Sequence, residues 1–298
     1  MNNLPLVSVI IPSYNHQDFI CSAIEAVLNQ TYPNIELIVI DDGSTDLSVA
    51  KINKLKEKYN FFFIHRENKG VARTLNEGLK LIKGEYFAFC ASDDLYHPNR
   101  ISLQLQSMLD NKVVASYTKS FVFDDLGNVL EADTKLYNQN LKGGAIFGEL
   151  LTFQFVPPVT FMYQTSFFKE CIGEFDPNLV AEDFDLTLRI AEKHEILFLD
   201  EFLYYYRSPR AVGGERVRNV ARLDVSESHY KSIERYKTNP LYKVALKEWN
   251  FRRFIMFSGY KQTKKYAVAG MLRSMGRTFS WLYCKAIIRI IFFWKDYR

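Results

Sequence analysis

Four short apolar runs, each stopping on polar residues, punctuate the first hundred positions of this 298-residue chain. "LVSVIIP" (Leu6–Pro12) is rich in β-branched residues, marks a strand buried on both faces, and ends at Pro12. Phe19, Ile20, Ala23, Ile24, Val27 and Leu28 then recur at helical spacing, which predicts a helix over 17–29. "IELIVIDDGSTD" predicts a second strand, Ile35–Ile40. Ser44, Thr45 and Asp46 then offer an N-cap to a helix carrying Val49, Ile52 and Leu55. "FFFIH" (Phe61–His65) reads as a third strand, "VARTLNEGLKLIKG" as a helix closed by Gly84, and "EYFAFCA" as a fourth strand. Alternation at this pace means βαβ units, an α/β class and a mostly parallel sheet.

Polar residues gather where these strands end: Tyr14 and Asn15, Asp41 and Asp42, Asn68, Asp93 and Asp94. Open parallel sheets bind ligands at the carboxyl ends of their strands, so the pattern converges on one site. Past residue 100 the rhythm changes. "VVASYTKSFVFDDLGNVL" predicts antiparallel strands with a turn around Asp125–Asn128. "PPVTFMYQTSFFKECIGEFDPNLVAEDFDLTLRIAEK" holds a strand, a short helix, a loop and a helix beginning near Glu182, and "EILFLDEFLYYYR" a strand pair ending at Arg207. The turn-rich "SPRAVGGE" (Ser208–Glu215) marks the expected edge of a main domain, 1–210, followed by a helical region, 211–298.

Three acidic pairs carry the chemistry. Asp41-Asp42 precede Gly43-Ser44, a common turn signal, and a carboxylate there also suits hydrogen bonds from a nucleobase or ribose. Asp93 and Asp94 are harder to reduce to a helix cap, which needs one acid only. A divalent cation explains the second, because Mg²⁺ or Mn²⁺ takes one or two carboxylates and completes its shell with phosphate oxygens and water. Glu182 and Asp183, with Asp185 behind them, fit either the first turn of a helix or a general base for a hydroxyl proton. Other chemistries lack their signatures. No GxGxxG follows a strand, no GxxxxGK[ST] or GxSxG occurs, and His16, His65, His97, His194 and His229 lack metal-ligand spacing.

"VSVIIPSYN", "ELIVIDDGSTD", "NKGVARTLNEGL", "GEYFAFCASDD", "FDPNL" and "EDFDLTLRI", in this order and spacing, resemble the family 2 glycosyltransferases over residues 5–210. The resemblance implies the GT-A fold, a Rossmann-like, mostly parallel sheet with helices on both faces. It also implies inverting transfer of a sugar from a nucleotide diphosphate-sugar, by family habit a UDP-sugar, to an acceptor hydroxyl. Carried over by position, Pro12, Tyr14 and Asn15 line the nucleotide pocket, and Asp41 or Asp42 holds the uracil and ribose. Asp93 and Asp94 hold the metal, Mn²⁺ or Mg²⁺, and the diphosphate. Asp183 is the base with Glu182 as alternate, and Arg207 lies near the leaving diphosphate. Two positions depart from the family pattern. Ala91 stands where many members carry a third acid, and Leu75 precedes Asn76 where many carry Arg, which leaves Arg73 as the nearest substitute. These departures keep alive a nucleotide-sugar-binding module with little catalysis. Nucleotidyl transfer would want a Gly-, Arg- or Lys-rich phosphate loop after the first strand, and "PSYNHQDF" is not one.

The rest of the chain bears on location. Residues 251–298 hold eleven Lys/Arg and one acid, Asp296; taken from totals of 38 and 34, this leaves 27 and 33 for residues 1–250. Basic and aromatic residues interleave there without a nucleic-acid motif, so no nucleic-acid partner is expected. The best apolar run, Trp281–Trp294, carries Lys285 and Arg289 and is too short to span a bilayer. An interfacial helix on the membrane surface is the expectation, against the plainer reading that the apolar face packs on protein. With no signal peptide and four scattered cysteines without a CxxC pair, the expected place is cytoplasmic, peripheral on the inner face of the cell membrane. By analogy the acceptor is then an undecaprenyl-diphosphate-linked saccharide of O-antigen or capsule assembly, extended by one sugar per encounter.

Overall fold

A computed structural model describes residues 4–208, 222–275 and 280–292. The chain divides into two compact units, one of residues 1–146, 155–177 and 189–216, the other of 147–154, 178–188 and 217–298. All strands belong to the first. The expected turn-rich edge lies, from residue 209 on, outside the described residues.

The first unit opens as the periodicity demands: β1 (Val7–Ser13), α1 (Ile20–Leu28), β2 (Ile35–Asp41), α2 (Ser48–Lys58), β3 (Phe62–His65), α3 (Val71–Leu81) and β4 (Tyr86–Phe89). β1 pairs in parallel with β2 and β4, and β2 with β3. Apolar residues on both of its faces make β1 a central strand. Val7, Val9 and Ile11 pack with Ile20, Ile24, Ile101 and Leu105, while Ile10 meets the other side, where Gly78 of α3 leaves room. The pairing brings Ser13 abreast of Asp41, and Asp41 abreast of His65, at the carboxyl edge.

β5 (Leu95–Tyr96), α4 (Arg100–Asn111), β6 (Ala115–Phe123), α5 (Glu131–Tyr137), α6 (Phe147–Leu151), β7 (Met162–Gln164), α7 (Thr165–Phe167), α8 (Glu182–Lys193) and β8 (Leu197–Arg207) follow. The eight strands run β3-β2-β1-β4-β7-β6-β8-β5. β7 is antiparallel to β4 and β6, and β5 to β8, so the sheet is mixed.

Two expected details change. The strand pair ending at Arg207 is a single strand, β8. It lies parallel to β6 and absorbs Asp200-Glu201 through register shifts at Thr118–Ser120, where Lys119 pairs with Asp200. The expected hairpin after residue 113 shrinks to one bridge, Phe123 to Val129. Asp124 turns the chain by accepting from the N–H of Leu126 and Asn128, and α5 begins at once.

In the second unit, α9 (Leu223–Glu234), α10 (Tyr242–Phe257), α11 (Lys264–Arg273) and α12 (Trp281–Phe292) form a helical cluster. Phe251, Phe254 and Ala286 pack with Met271, Tyr283, Ile287 and Ile290, so one face of α12 is covered by helices of its own unit. Among the described residues no helix is long and apolar enough to cross a membrane.

Gly84 earns its place by space. The helix before it ends at Leu81, and a Cβ on Gly84 would lie 2.6 Å from the Ser8 backbone nitrogen and from the Tyr86 carbonyl oxygen. Gly84→Ala should therefore cost about 1–3 kcal/mol, the range for overpacking a close contact, read from urea denaturation of the purified protein. An unchanged midpoint would show that the β1–β4 contact yields freely.

Candidate active site

A cleft of about 400 Å³ opens at the carboxyl edge of the sheet. The end of β1 gives it Pro12, Ser13, Tyr14 and His16. Asp42 enters from behind β2, and Asn68, Gly70, Val71 and Thr74 from the start of α3. Ala91, Ser92 and Asp93 close it from the end of β4. Parallel pairing ends these strands side by side, which is why residues far apart in sequence meet.

The acids here differ in how far the protein already uses them. Asp41 is fully buried. It accepts from Ser44 N–H at 2.8 Å, from Ser44 Oγ at 2.6 Å and, at 3.0 Å, contacts His65 Nδ1. It therefore builds the turn after β2 and does not line the cleft. Asp42 does line it, yet it also accepts from the N–H of Lys69 at 2.8 Å and of Gly70 at 2.9 Å, and pairs with Arg66. Gly43 between the loops has φ +79°, and a Cβ there would lie 2.7 Å from Asn68 N, so both conformation and space favour glycine.

The pair after β4 is split. Asp94 is buried and accepts from Tyr204 Oη at 2.9 Å and from Arg207 N–H at 2.7 Å. Burial, then the charge of Asp93, holds its carboxyl well above the usual range. Tyr204 Oη also accepts from Ala91 N–H at 3.2 Å, and Asp94 N–H bonds Ala91 C=O at 3.1 Å, so four hydrogen bonds tie one tight turn. Asp93, half-buried, is the member of the pair that lines the cleft.

Arg207 braces this turn from beneath. Its Nε donates to Asp93 C=O at 2.7 Å, and its guanidinium lies between the rings of Phe19 (4.2 Å) and Phe123 (4.4 Å). It does not line the cleft. Behind it, fully buried Arg100 stacks on Tyr96 (3.8 Å) and Tyr204 (4.9 Å).

Of the remaining expected residues, Pro12 and half-exposed Tyr14 line the cleft. Asn15 takes a left-handed φ of 50° and clips the first two loops, its Oδ1 accepting from Thr45 N–H at 2.8 Å and its N–H reaching Ser44 Oγ at 2.8 Å. Arg73 points along its helix to Lys69 C=O, and Leu75 is core. Asn76 ties α3 to the "FDPNL" loop through both hydrogen bonds to the Phe175 backbone, at 2.9 and 2.8 Å. Sequence reasoning passed over Arg66, Tyr204 and His16, whose Nδ1 lies 2.7 Å from Ser92 Oγ. The local signal for Arg66 was its place directly after the third strand, beside His65.

Glu182 and Asp183 begin α8 in the second unit. Burial, then the charge of Asp183, pushes Glu182 up to about 7. Burial also raises Asp183, against the Phe184 N–H that donates to it at 2.7 Å. Beside them Asp185 is buried, with Arg235 Nε 3.1 Å away but not aligned as a hydrogen bond. His229 packs on Phe184 and Phe153, and its burial lowers it to about 4.

Among the described residues no three His, Cys, Asp or Glu side chains form a metal cage. Asp93 at the cleft wall could supply one carboxylate to a Mg²⁺ or Mn²⁺ that draws its other ligands from phosphate and water, so the residues fit a metal arriving with a nucleotide. With both oxygens engaged by Tyr204 and Arg207, Asp94 fits a supporting place.

Comparison with known proteins adds four findings. The model of the family described as Glycosyl transferase family 2 matches residues 8–171. An uncharacterised glycosyltransferase of Rickettsia typhi is 35% identical over 205 residues, 67% of this chain and 63% of its own length. An Escherichia coli protein, the UDP-Glc:alpha-D-GlcNAc-diphosphoundecaprenol beta-1,3-glucosyltransferase WfaP, is 41% identical over 122 residues, 41% of this chain and 49% of its own. Among solved structures, a mannosyltransferase of Pyrobaculum calidifontis in complex with GDP-Man and Mn²⁺ shares the fold. It has TM-score 0.62 and 15% identity over 96% of this chain and 79% of that one. The chain spans 26% to 63% of the length of the first curated relatives it matches.

The brace is testable by itself. Tyr204→Phe leaves Ala91 N–H without its acceptor and Asp94 with one donor fewer, which should cost about 1–3 kcal/mol in chemical denaturation. Equal stability would mean that the turn is held without the phenol.

Proposed function

Because the chain belongs to glycosyltransferase family 2 and has the GT-A fold, we propose that it transfers a sugar from a UDP-sugar to a hydroxyl of a lipid-linked saccharide, with inversion. The observation that carries this reading is the cleft at the sheet's carboxyl edge with Asp93 on its wall. Pro12, Tyr14 and Asp42 take the nucleoside, and Asp93 faces the diphosphate. Asn15, Asp41, Asp94 and Arg207 position these groups through the turns they hold. Asp93 would hold Mn²⁺ or Mg²⁺, which when bound neutralises charge on the diphosphate. The mannosyltransferase solved with Mn²⁺ supports a divalent ion, and WfaP supports a UDP donor and a diphosphoundecaprenol-linked acceptor. The setting is bacterial surface polysaccharide synthesis, O-antigen or capsule.

In the reaction the acceptor oxygen attacks the anomeric carbon from the face opposite the phosphate. The new C–O bond forms as the bond to phosphate breaks, and the nucleoside diphosphate leaves with that electron pair. Asp183 takes the acceptor proton, with Glu182 as its alternate. A binding module would have no use for two partly buried carboxyls held above their usual range, so the acidic pair favours the enzyme.

Asp183→Asn should lower kcat by roughly 10²–10⁴-fold and leave the UDP Kd unchanged, which separates the base from donor binding. Near-normal turnover would remove Asp183 from the mechanism. A proton acceptor works only when ionised, and Glu182 ionises as pH rises through about 7. With Asp183 as the base, its carboxyl also raised by burial, kcat/KM should fall as pH drops and Glu182→Gln should leave an acid limb in place, whereas a limb near 7 that Glu182→Gln abolishes would make Glu182 the base.

A further inference from the structure

We propose that the uncovered face of α12, with the outer stripe of α11, seats this protein on an anionic lipid bilayer. α12 is apolar on two sides. Tyr283, Ala286, Ile287 and Ile290 pack inward on α10 and α11. Trp281 (75% exposed), Ile288, Ile291 and Phe292 (71% exposed) stand in water. Trp281, Ile288 and Phe292 fall on one line of the helix, seven and then four residues apart, with Lys285 among them. On α11, Val268, Leu272 and Met275 just beyond its end repeat the pattern at i, i+4, i+7, and all three are exposed. A water-facing helix surface carries polar residues at such places.

Charge selects the occupant. α11 and α12 hold five bases, Lys264, Lys265, Arg273, Lys285 and Arg289, and no acid. A second copy of the chain meeting this face across a twofold axis would set Lys285 and Arg289 against themselves, which like-charge repulsion opposes. Anionic head groups attract them instead. The described twelve residues of α12 are roughly 18 Å long, short of a ~30 Å hydrocarbon core, and the proposed seat has them lie along the interface with aromatic and aliphatic side chains dipping in. Lys and Arg stems reach from that depth to the head groups. This seat is independent of the transfer reading, because it needs neither donor nor acceptor.

The test is flotation of the full chain with vesicles of phosphatidylcholine alone or mixed with phosphatidylglycerol. The wild type should bind the mixed vesicles, more weakly as salt rises, and bind phosphatidylcholine poorly. The triple variant Trp281→Ser, Ile288→Ser, Phe292→Ser should keep its melting temperature, since these side chains are exposed, and lose binding at least about tenfold. Lys285→Gln with Arg289→Gln should lose the preference for phosphatidylglycerol. No binding by the wild type, equal binding by the triple variant, or a concentration-dependent dimer abolished by that variant would overturn the proposal.

Discussion

A carboxylate taken out of water at the end of β4 sets the terms for the whole cleft. Asp94 cannot be buried without donors, since carboxyl oxygens taken out of water and left unbonded are costly in either protonation state. Its donors are Tyr204 Oη and Arg207 N–H on β8. The demand therefore binds the end of β4 to a strand 110 residues further along the chain. Arg207 then holds the Asp93 carbonyl and lies between Phe19 and Phe123, so one turn gathers β4, β6, β8 and the segment before α1. Asp93 reaches the cleft because its neighbour has been drawn inward.

The same economy governs the other strand ends. Asp41 supports its own turn, Asp42 fastens the loop that starts α3, and Asp46 accepts from the N–H of Gln17 and Ser48. Loops with backbone donors satisfied by carboxylates are rigid, and a rigid edge presents a ligand with preformed geometry. Turn chemistry and ligand chemistry are thus complementary at these positions. Asp42 organises a loop and lines the cleft at once.

The first hundred residues were legible because local rules govern them. Runs such as Val7–Ile11 are apolar on both faces, and parallel strands must end at a common edge. The division of labour within Asp93-Asp94 was not legible, because Tyr204 and Arg207 are distant in sequence and nothing local marks them as partners. Arg66 has a local signal in its place after the third strand, but its role depends on Asp42 and Glu77 meeting it in space. β8 reads in the sequence as a strand pair, and only its pairing with β6 reveals one strand with a shifted register. In α12 apolar residues lie at nearly every angle, so packing against α10 and α11, rather than the sequence, decides which face is left in water. The grouping of residues 147–154 and 178–188 with the C-terminal helices likewise follows from contacts that no local pattern records.

The division between the two carboxylates is most directly tested by a crystal structure with UDP and Mn²⁺, read by anomalous diffraction. An anomalous peak bonded to an Asp93 carboxylate oxygen and to the UDP phosphates, with Asp94 still held by Tyr204 and Arg207, is the expected result. A peak bonded to Asp94, or UDP bound away from the cleft of Pro12, Tyr14 and Asp42, would contradict it.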